Sequence, residues 1–177
     1  HFSSYIYRGH KADAYEGGHR VPFIAKWPSK IKAGTSRDQT ICLTDVMATS
    51  AEITGYKLKD NEGEDSYSLV ELFDADKEVD QFREATVHHS INGSFAIRQG
   101  DWKLIMAKGS GGWSAPKPNN LASDPGESTN LQAENPEKVA SLKSLLSKYI
   151  KEGRSTPGAP QQNDKMEGEW KQISFVE

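Results

Sequence analysis

At 177 residues the chain is long enough for one ordinary domain, or for the end of one domain joined to a small second one, with a core of its own. Its 22 Lys and Arg against 25 Asp and Glu leave a net charge of −3, which gives no overall pull towards nucleic acid or an anionic membrane surface, so any anion must be recognised locally. The single cysteine, Cys42, excludes a disulfide framework and a multi-cysteine zinc site, and the most apolar stretch, Val21 to Trp27, falls far short of the ~20 apolar residues of a spanning helix.

The chain opens at His1 without Met or an apolar leader, which predicts a removed leader or a segment of something longer. HFSSYIYRGHKADAYEGGHR is polar, aromatic and Gly-rich and reads as an ordered loop in which Gly9, Gly17 and Gly18 supply unusual backbone angles. VPFIAKW is β-branched and aromatic and stops at Pro28, which predicts a buried strand. TDVMATSAEITG predicts a helix capped by Thr44 or Asp45, carrying Val46, Met47 and Ile53 and stopped by Gly55. A strand followed by a helix is the pattern of an α/β layer.

From Tyr56 to Asp65 the chain is charged and poor in apolar residues, which marks a connection. Beyond it, Tyr67 to Phe73 predicts a short helix, and ATVHHSI, SFAIRQ and WKLIMA predict three strands of an antiparallel meander, turned at Asn92-Gly93 and Gln99-Gly100-Asp101. Lys108 to Asn135 is rich in Gly, Ser, Pro and Asn and reads as a long loop. Pro136 to Glu152 predicts a helix with Asn135 as cap and Gly153 after its end. Its stripe of Val139, Leu142, Leu145, Leu146, Tyr149 and Ile150 is expected to pack on the meander. WKQISFV is expected to add a final strand. Cys42 reads as a buried small apolar residue.

The opening loop carries the most suggestive chemistry, because it gathers His1, Arg8, His10, Lys11, Glu16, His19 and Arg20 around three glycines. Cations beside donor-rich backbone suit a sulfate or phosphate ester, whose oxygens gain charge as the ester bond breaks. A charged loop before a strand is also, by itself, an ordinary solvated surface.

RGHKADAYEGGHRVPFIAKWP resembles the stretch that formylglycine-dependent sulfatases of the arylsulfatase and N-acetylgalactosamine-6-sulfatase type carry as G-x-K, E-G-G-x-R-V-P and W-P. TDVMATSAEITG, AIRQGDWKLI and SDPGESTNL resemble further segments of that family, in the family's order. The resemblance implies an α/β, alkaline-phosphatase-like fold. Residues 1–65 are then expected to form the C-terminal end of the large catalytic domain, and residues 66–177 a small α+β subdomain with an antiparallel sheet and one long helix. It implies that Lys11, of the G-x-K element, meets the sulfate as a compact point charge. Glu16, Gly17, Gly18 and Arg20 are expected to shape the loop, and His88, His89 and His19 are candidate contacts to substrate.

The same resemblance implies calcium, held by hard oxygen ligands, and a formylglycine made from Cys or Ser in a C/S-x-P/A-x-R motif. Cys42 in TICLTD has neither the proline nor the arginine, and the family's paired aspartates are absent, so no residue here is expected to bind metal and the segment alone is expected to be inactive. The implied substrate is a sulfated small molecule or sulfated sugar, with Lys108 to Asn120 among the loops setting specificity. The implied partner is the rest of the same catalytic domain, and the implied compartment is periplasmic or extracellular. A phosphodiesterase or phosphonate hydrolase of the same fold, and a non-catalytic glycan-binding module, are the competing readings.

Overall fold

The computed structural model describes residues 4–113, 126–164 and 171–176. The chain forms two compact units, one of residues 1–21, 87–148 and 165–177 and the other of residues 22–86 and 149–164.

The first unit is built on a sheet of order β1-β2-β3, with β1 at Thr86–His89, β2 at Phe95–Gln99 and β3 at Trp102–Ile105. β2 and β3 pair antiparallel, Ala96 opposite Ile105 and Gln99 opposite Trp102, so Gly100 and Asp101 alone make the turn. Gly100 sits at φ +57, the left-handed angle that a two-residue hairpin demands of its first residue. The Asn-Gly turn is one residue longer than the two-residue form. Ser90 N–H donates to Ser94 O at 3.0 Å and Gly93 N–H to Ser90 O at 2.9 Å, with Gly93 at φ +80 closing a three-residue loop. Phe95, Ala96 and Ile97 of β2 are buried.

The helix α3 spans Pro136–Glu152, as the spacing predicts. Val139 N–H bonds back to Asn135 O at 3.1 Å, which makes Asn135 the first residue to accept a helical hydrogen bond, and Gly153 follows the last turn at φ +62. Leu142 and Leu146 are buried. The start of α3 reaches the sheet: Lys138 Nζ donates to Gln99 Oε1 of β2 at 3.1 Å, and Val139 and Leu142 share with Trp102 and Leu104 the wall of a cavity of about 150 Å³. The expected final strand is instead a 3₁₀ turn at Lys171–Ile173. β2 already has neighbours on both edges, and the tail docks through side chains, with Gln172 Nε2 donating to Asn92 O at 2.6 Å and Phe175 edge-on to Phe95 at 6.4 Å.

In the second unit, α2 (Asp45–Thr54) ends at Gly55 in the left-handed conformation. Its buried side is not the expected one, because Val46, Met47 and Ile53 are exposed while Asp45, Thr49 and Ala51 are buried. Hydrogen bonds explain the inversion. Thr49 Oγ1 donates to Asp45 O and accepts Leu69 N–H at 2.9 Å, and the Asp45 carboxylate accepts Cys42 N–H, Tyr67 N–H and both contacts of Arg83 Nη1, at 2.8 to 3.1 Å for the pair. The expected cap at Thr44 makes no side-chain hydrogen bond to the helix; the Asp45 bond to Cys42 takes that place. Tyr67 to Phe73 contributes a 3₁₀ turn, Val70–Phe73. Burial raises the pKa of the Cys42 thiol, against the pull of Arg83, so the group stays protonated and unreactive.

Val21 to Trp27 is not a strand. No ladder neighbour pairs with it among the described residues, and Ile24 is 91 % exposed, with Val21 and Phe23 also exposed. No helix among the described residues is long and apolar enough to cross a membrane.

Candidate functional site

The opening loop folds around carboxylates that it cannot neutralise by itself. Its EGGH segment makes a single helical turn, α1 (Glu16–His19), and Glu16 is buried. Four donors converge on that carboxylate: Arg20 Nε at 2.6 Å, Lys103 Nζ and Arg98 Nη1 at 3.0 Å each, and His19 Nε2 at 3.3 Å. A second buried carboxylate, Glu127, accepts Glu16 N–H on Oε2 at 2.7 Å and lies 3.4 Å from Lys103 Nζ through Oε1. Its carbonyl accepts Arg8 Nη1 at 2.9 Å, and the Arg8 guanidinium covers the buried Tyr15 ring at 4.0 Å. Three cations thus face two buried carboxylates, with Lys103 buried between them and Arg20 reaching in from the surface.

Burial alone would raise the pKa of Glu16, but the His19 hydrogen bond, the Lys103 charge, the Arg20 hydrogen bond and the Arg98 charge outweigh it and hold the carboxyl well below the usual range. Glu127, with fewer partners, goes the other way: burial raises its pKa against the attraction of Lys103. Burial lowers the pKa of Lys103, although both glutamates oppose the shift.

His19 and His88 stack with ring centroids 4.0 Å apart and an angle of 15°. Burial pushes His88 down to about 2, helped by His19 and Lys103, and burial also lowers His19 against its bond to Glu16. The pair is therefore neutral at physiological pH. With Nε2 donating to Glu16, the neutral His19 ring leaves Nδ1 as a bare acceptor. His89, the next residue on the pleat, is exposed at the end of β1, and its ring lies 4.1 Å from Phe95.

The glycines of the loop have two different jobs. Gly9 is at φ +80, as expected of a residue with an unusual angle, but Gly17 and Gly18 are not left-handed. Their reason is close approach, since a Cβ on Gly17 would lie 2.5 Å from the carbonyl oxygens of Arg8 and Gly9, and one on Gly18 would lie 2.2 Å from Asp13 O. Lys11 is exposed, on a turn spanning residues 10–13 that is closed by Asp13 N–H to His10 O at 3.0 Å. Ala12 in that turn has φ +90, which costs a residue with a Cβ roughly 1–2 kcal/mol. The structure thus joins Glu16, Arg20, His19 and His88 in one cluster, with Lys11 at the surface of the loop that the cluster anchors.

Reading the sequence for chemistry missed Arg98, Lys103 and Glu127. The signal was present, since these are three of the five charged residues of AIRQGDWKLI and SDPGESTNL, the segments quoted for the resemblance. Among the described residues no group of three or more His, Cys, Asp or Glu side chains is placed to hold a metal ion, so these residues offer no site that fits calcium.

Comparison with known proteins identifies what this arrangement belongs to. An N-acetylgalactosamine-6-O-sulfatase of Bacteroides thetaiotaomicron is 32% identical over 153 residues, covering 80% of this chain and 29% of that protein. The arylsulfatase K of Homo sapiens is 28% identical over 173 residues, covering 92% of this chain and 32% of that one. A solved sulfatase chain, described with the metabolism of multiple glycosaminoglycans by Bacteroides thetaiotaomicron, superposes with a TM-score of 0.67 at 30% identity, covering 81% of this chain and 32% of that chain. The chain therefore spans about a third or less of the length of these relatives. The family described as N-sulphoglucosamine sulphohydrolase, C-terminal, matches residues 10–155, and the chain belongs to it.

Proposed function

We propose that this chain is the C-terminal part of an enzyme that hydrolyses the sulfate ester of a sulfated sugar, and that Lys11 is its contribution to the reacting group. One observation carries the reading: Lys11 is exposed while the loop on both sides of it is fastened to buried carboxylates, an arrangement that holds an ammonium ready for an anion. The ammonium meets sulfate oxygens whose charge grows as the S–O bond breaks. His19 and His88, neutral and stacked, are suited to hydrogen bonding with sugar hydroxyls rather than to holding the anion, and His89 lies at the same end of β1. Glu16, Gly17, Gly18 and Arg20 keep the loop's shape.

Calcium and a formylglycine, both from outside this segment, would supply polarisation of the ester and the attack on sulfur. The large α/β domain would end near residue 65, and the α+β subdomain would occupy residues 66–177. The exposed apolar side chains of Phe23 and Ile24, and of Val46, Met47 and Ile53 on α2, fit surfaces covered by the rest of the catalytic domain. The name of the Bacteroides relative makes a 6-O-sulfated N-acetylgalactosamine the first substrate to try. The test is sulfate-ion release by the intact enzyme from a panel of sulfated monosaccharides, beside a phosphodiester control. Release from a sulfated sugar is expected; hydrolysis of the phosphodiester alone would overturn the reading.

A further inference from the structure

We propose that Asp13 is a positioning residue that presents Lys11 to the substrate sulfate through the turn at residues 10–13. This rests on the reading of Lys11 given above. Asp13 is buried beneath the turn, and its two carboxylate oxygens serve different strands of chain: Oδ2 accepts His10 N–H at 3.0 Å, and Oδ1 accepts Trp113 N–H at 2.8 Å. The first bond spans Lys11 within its own turn, and the second ties that turn to a segment one hundred residues away in sequence. A neighbouring bond completes the clamp, with Ala14 N–H donating to Ser110 O at 2.9 Å.

The opposite side of the turn is held as well. The Ala12 carbonyl accepts Ile91 N–H at 2.9 Å, and Gly112 packs so closely that a Cβ on it would lie 2.4 Å from Ala12 O and 2.6 Å from Asp13 Oδ1. Lys11 is thus an exposed residue of a turn gripped from two segments, residues 110–113 and Ile91. Ala12, immediately after it, is forced to φ +90, an angle that glycine would adopt without strain. A strained non-glycine residue persists only where its surroundings over-determine the backbone, and such residues cluster where a side chain must be aimed. An amide at position 13 could still accept one N–H, but its NH₂ group would face the other donor, releasing one of the two tethers.

The experiment is a double-mutant cycle in the intact enzyme, reading kcat and KM for release of sulfate from 6-O-sulfated N-acetylgalactosamine together with the thermal midpoint. Lys11→Ala is expected to lower kcat/KM about a hundredfold. Asp13→Asn is expected to lower kcat about tenfold with KM changed less than about threefold, and to cost less than about twofold when added to Lys11→Ala, because a residue that acts through Lys11 has nothing to aim once the ammonium is gone. If the two losses multiply, or if Asp13→Asn is silent, the positioning role is wrong and Lys11 keeps its own. If Lys11→Ala is silent, the functional reading fails and this proposal falls with it. Should Asp13→Asn not fold, Ala12→Gly carries the same cycle: it relieves the strained angle, is expected to keep or raise the thermal midpoint, and is expected to lower kcat a few-fold only while Lys11 is present.

Discussion

Glu16 accepts four donors on one buried carboxylate, so the change Glu16→Gln keeps its shape and removes the charge they share. Lys103 and Arg98 would then face each other with Glu127 as the remaining carboxylate, and breaking a buried pair from one side costs ~3–5 kcal/mol. A clear fall in thermal midpoint is expected, and an unchanged midpoint would show that solvent reaches this cluster. The stacked histidines add a dependence on pH. Both have folded pKa values below the ordinary one, His88 at about 2, so the unfolded chain takes up their protons first as pH falls. Their contribution is fully present above pH ~6.5 and is lost progressively below it, down towards pH 2 for His88. Between pH 7 and pH 5 the thermal midpoint is expected to fall, and His88→Gln is expected to flatten that slope. Parallel slopes for the two proteins would mean that His88 is not held neutral by the fold. At this scale the sequence singled out Glu16, Gly17, Gly18 and Arg20, which stand within five positions of one another, although the two glycines allow close approach rather than the unusual angles expected. Their partners were not legible as such. Arg98, Lys103 and Glu127 lie 82 to 111 residues further along, and no spacing rule connects a loop to a strand across that distance.

Elements were legible where their signals are local. The bounds of α3 follow from Pro136 at its first position and Gly153 after its end, and the meander follows from alternation broken at Asn-Gly and Gly-Asp. Where tertiary partners decide, the sequence misled. VPFIAKW has the composition of a buried strand, but composition cannot supply a neighbour to pair with, and Val21, Phe23 and Ile24 are exposed. The helix α2 buries Asp45 and Thr49 because Arg83, Tyr67 and Leu69 bring hydrogen bonds to that side, which an apolar-stripe count does not register. The stripe of α3 leads to the expectation for this scale. Leu146 is 0% exposed and Leu142 2%, so neither can be truncated without leaving a void in the core. Leu146→Ala is expected to cost ~2–5 kcal/mol, read as a lowered denaturation midpoint at unchanged slope. The exposed Lys11, changed to Ala, is expected to leave that midpoint nearly where it was. A silent leucine change would mean that α3 is not part of the core.

For the molecule as a whole, the same residues that complete the case for a sulfatase family member also limit what the 177-residue chain can do. On the proposed reading it contributes Lys11 to the sulfate, but it has no C/S-x-P/A-x-R motif and, among the described residues, no group of three or more His, Cys, Asp or Glu placed to hold a metal ion. The purified segment is therefore expected to release no sulfate from 4-nitrophenyl sulfate, with or without added calcium, because positioning an ester does not break it without an attacking group. Calcium-dependent turnover by the segment alone would overturn this division of labour. A second measurement on the same sample bears on the partner. Phe23 and Ile24 are exposed side by side, and Val46, Met47 and Ile53 are exposed on one helix. If the remainder of the catalytic domain covers these residues, the isolated segment should bind an apolar dye such as ANS and the intact enzyme should bind much less. Replacing Ile24 with Ser should reduce dye binding by the segment without lowering its thermal midpoint, since a side chain so exposed contributes little to the segment's own core, yet the same change should destabilise the intact enzyme. Equal dye binding by segment and intact enzyme, or an Ile24→Ser change without effect on the intact enzyme, would show that this surface is not where the two parts meet.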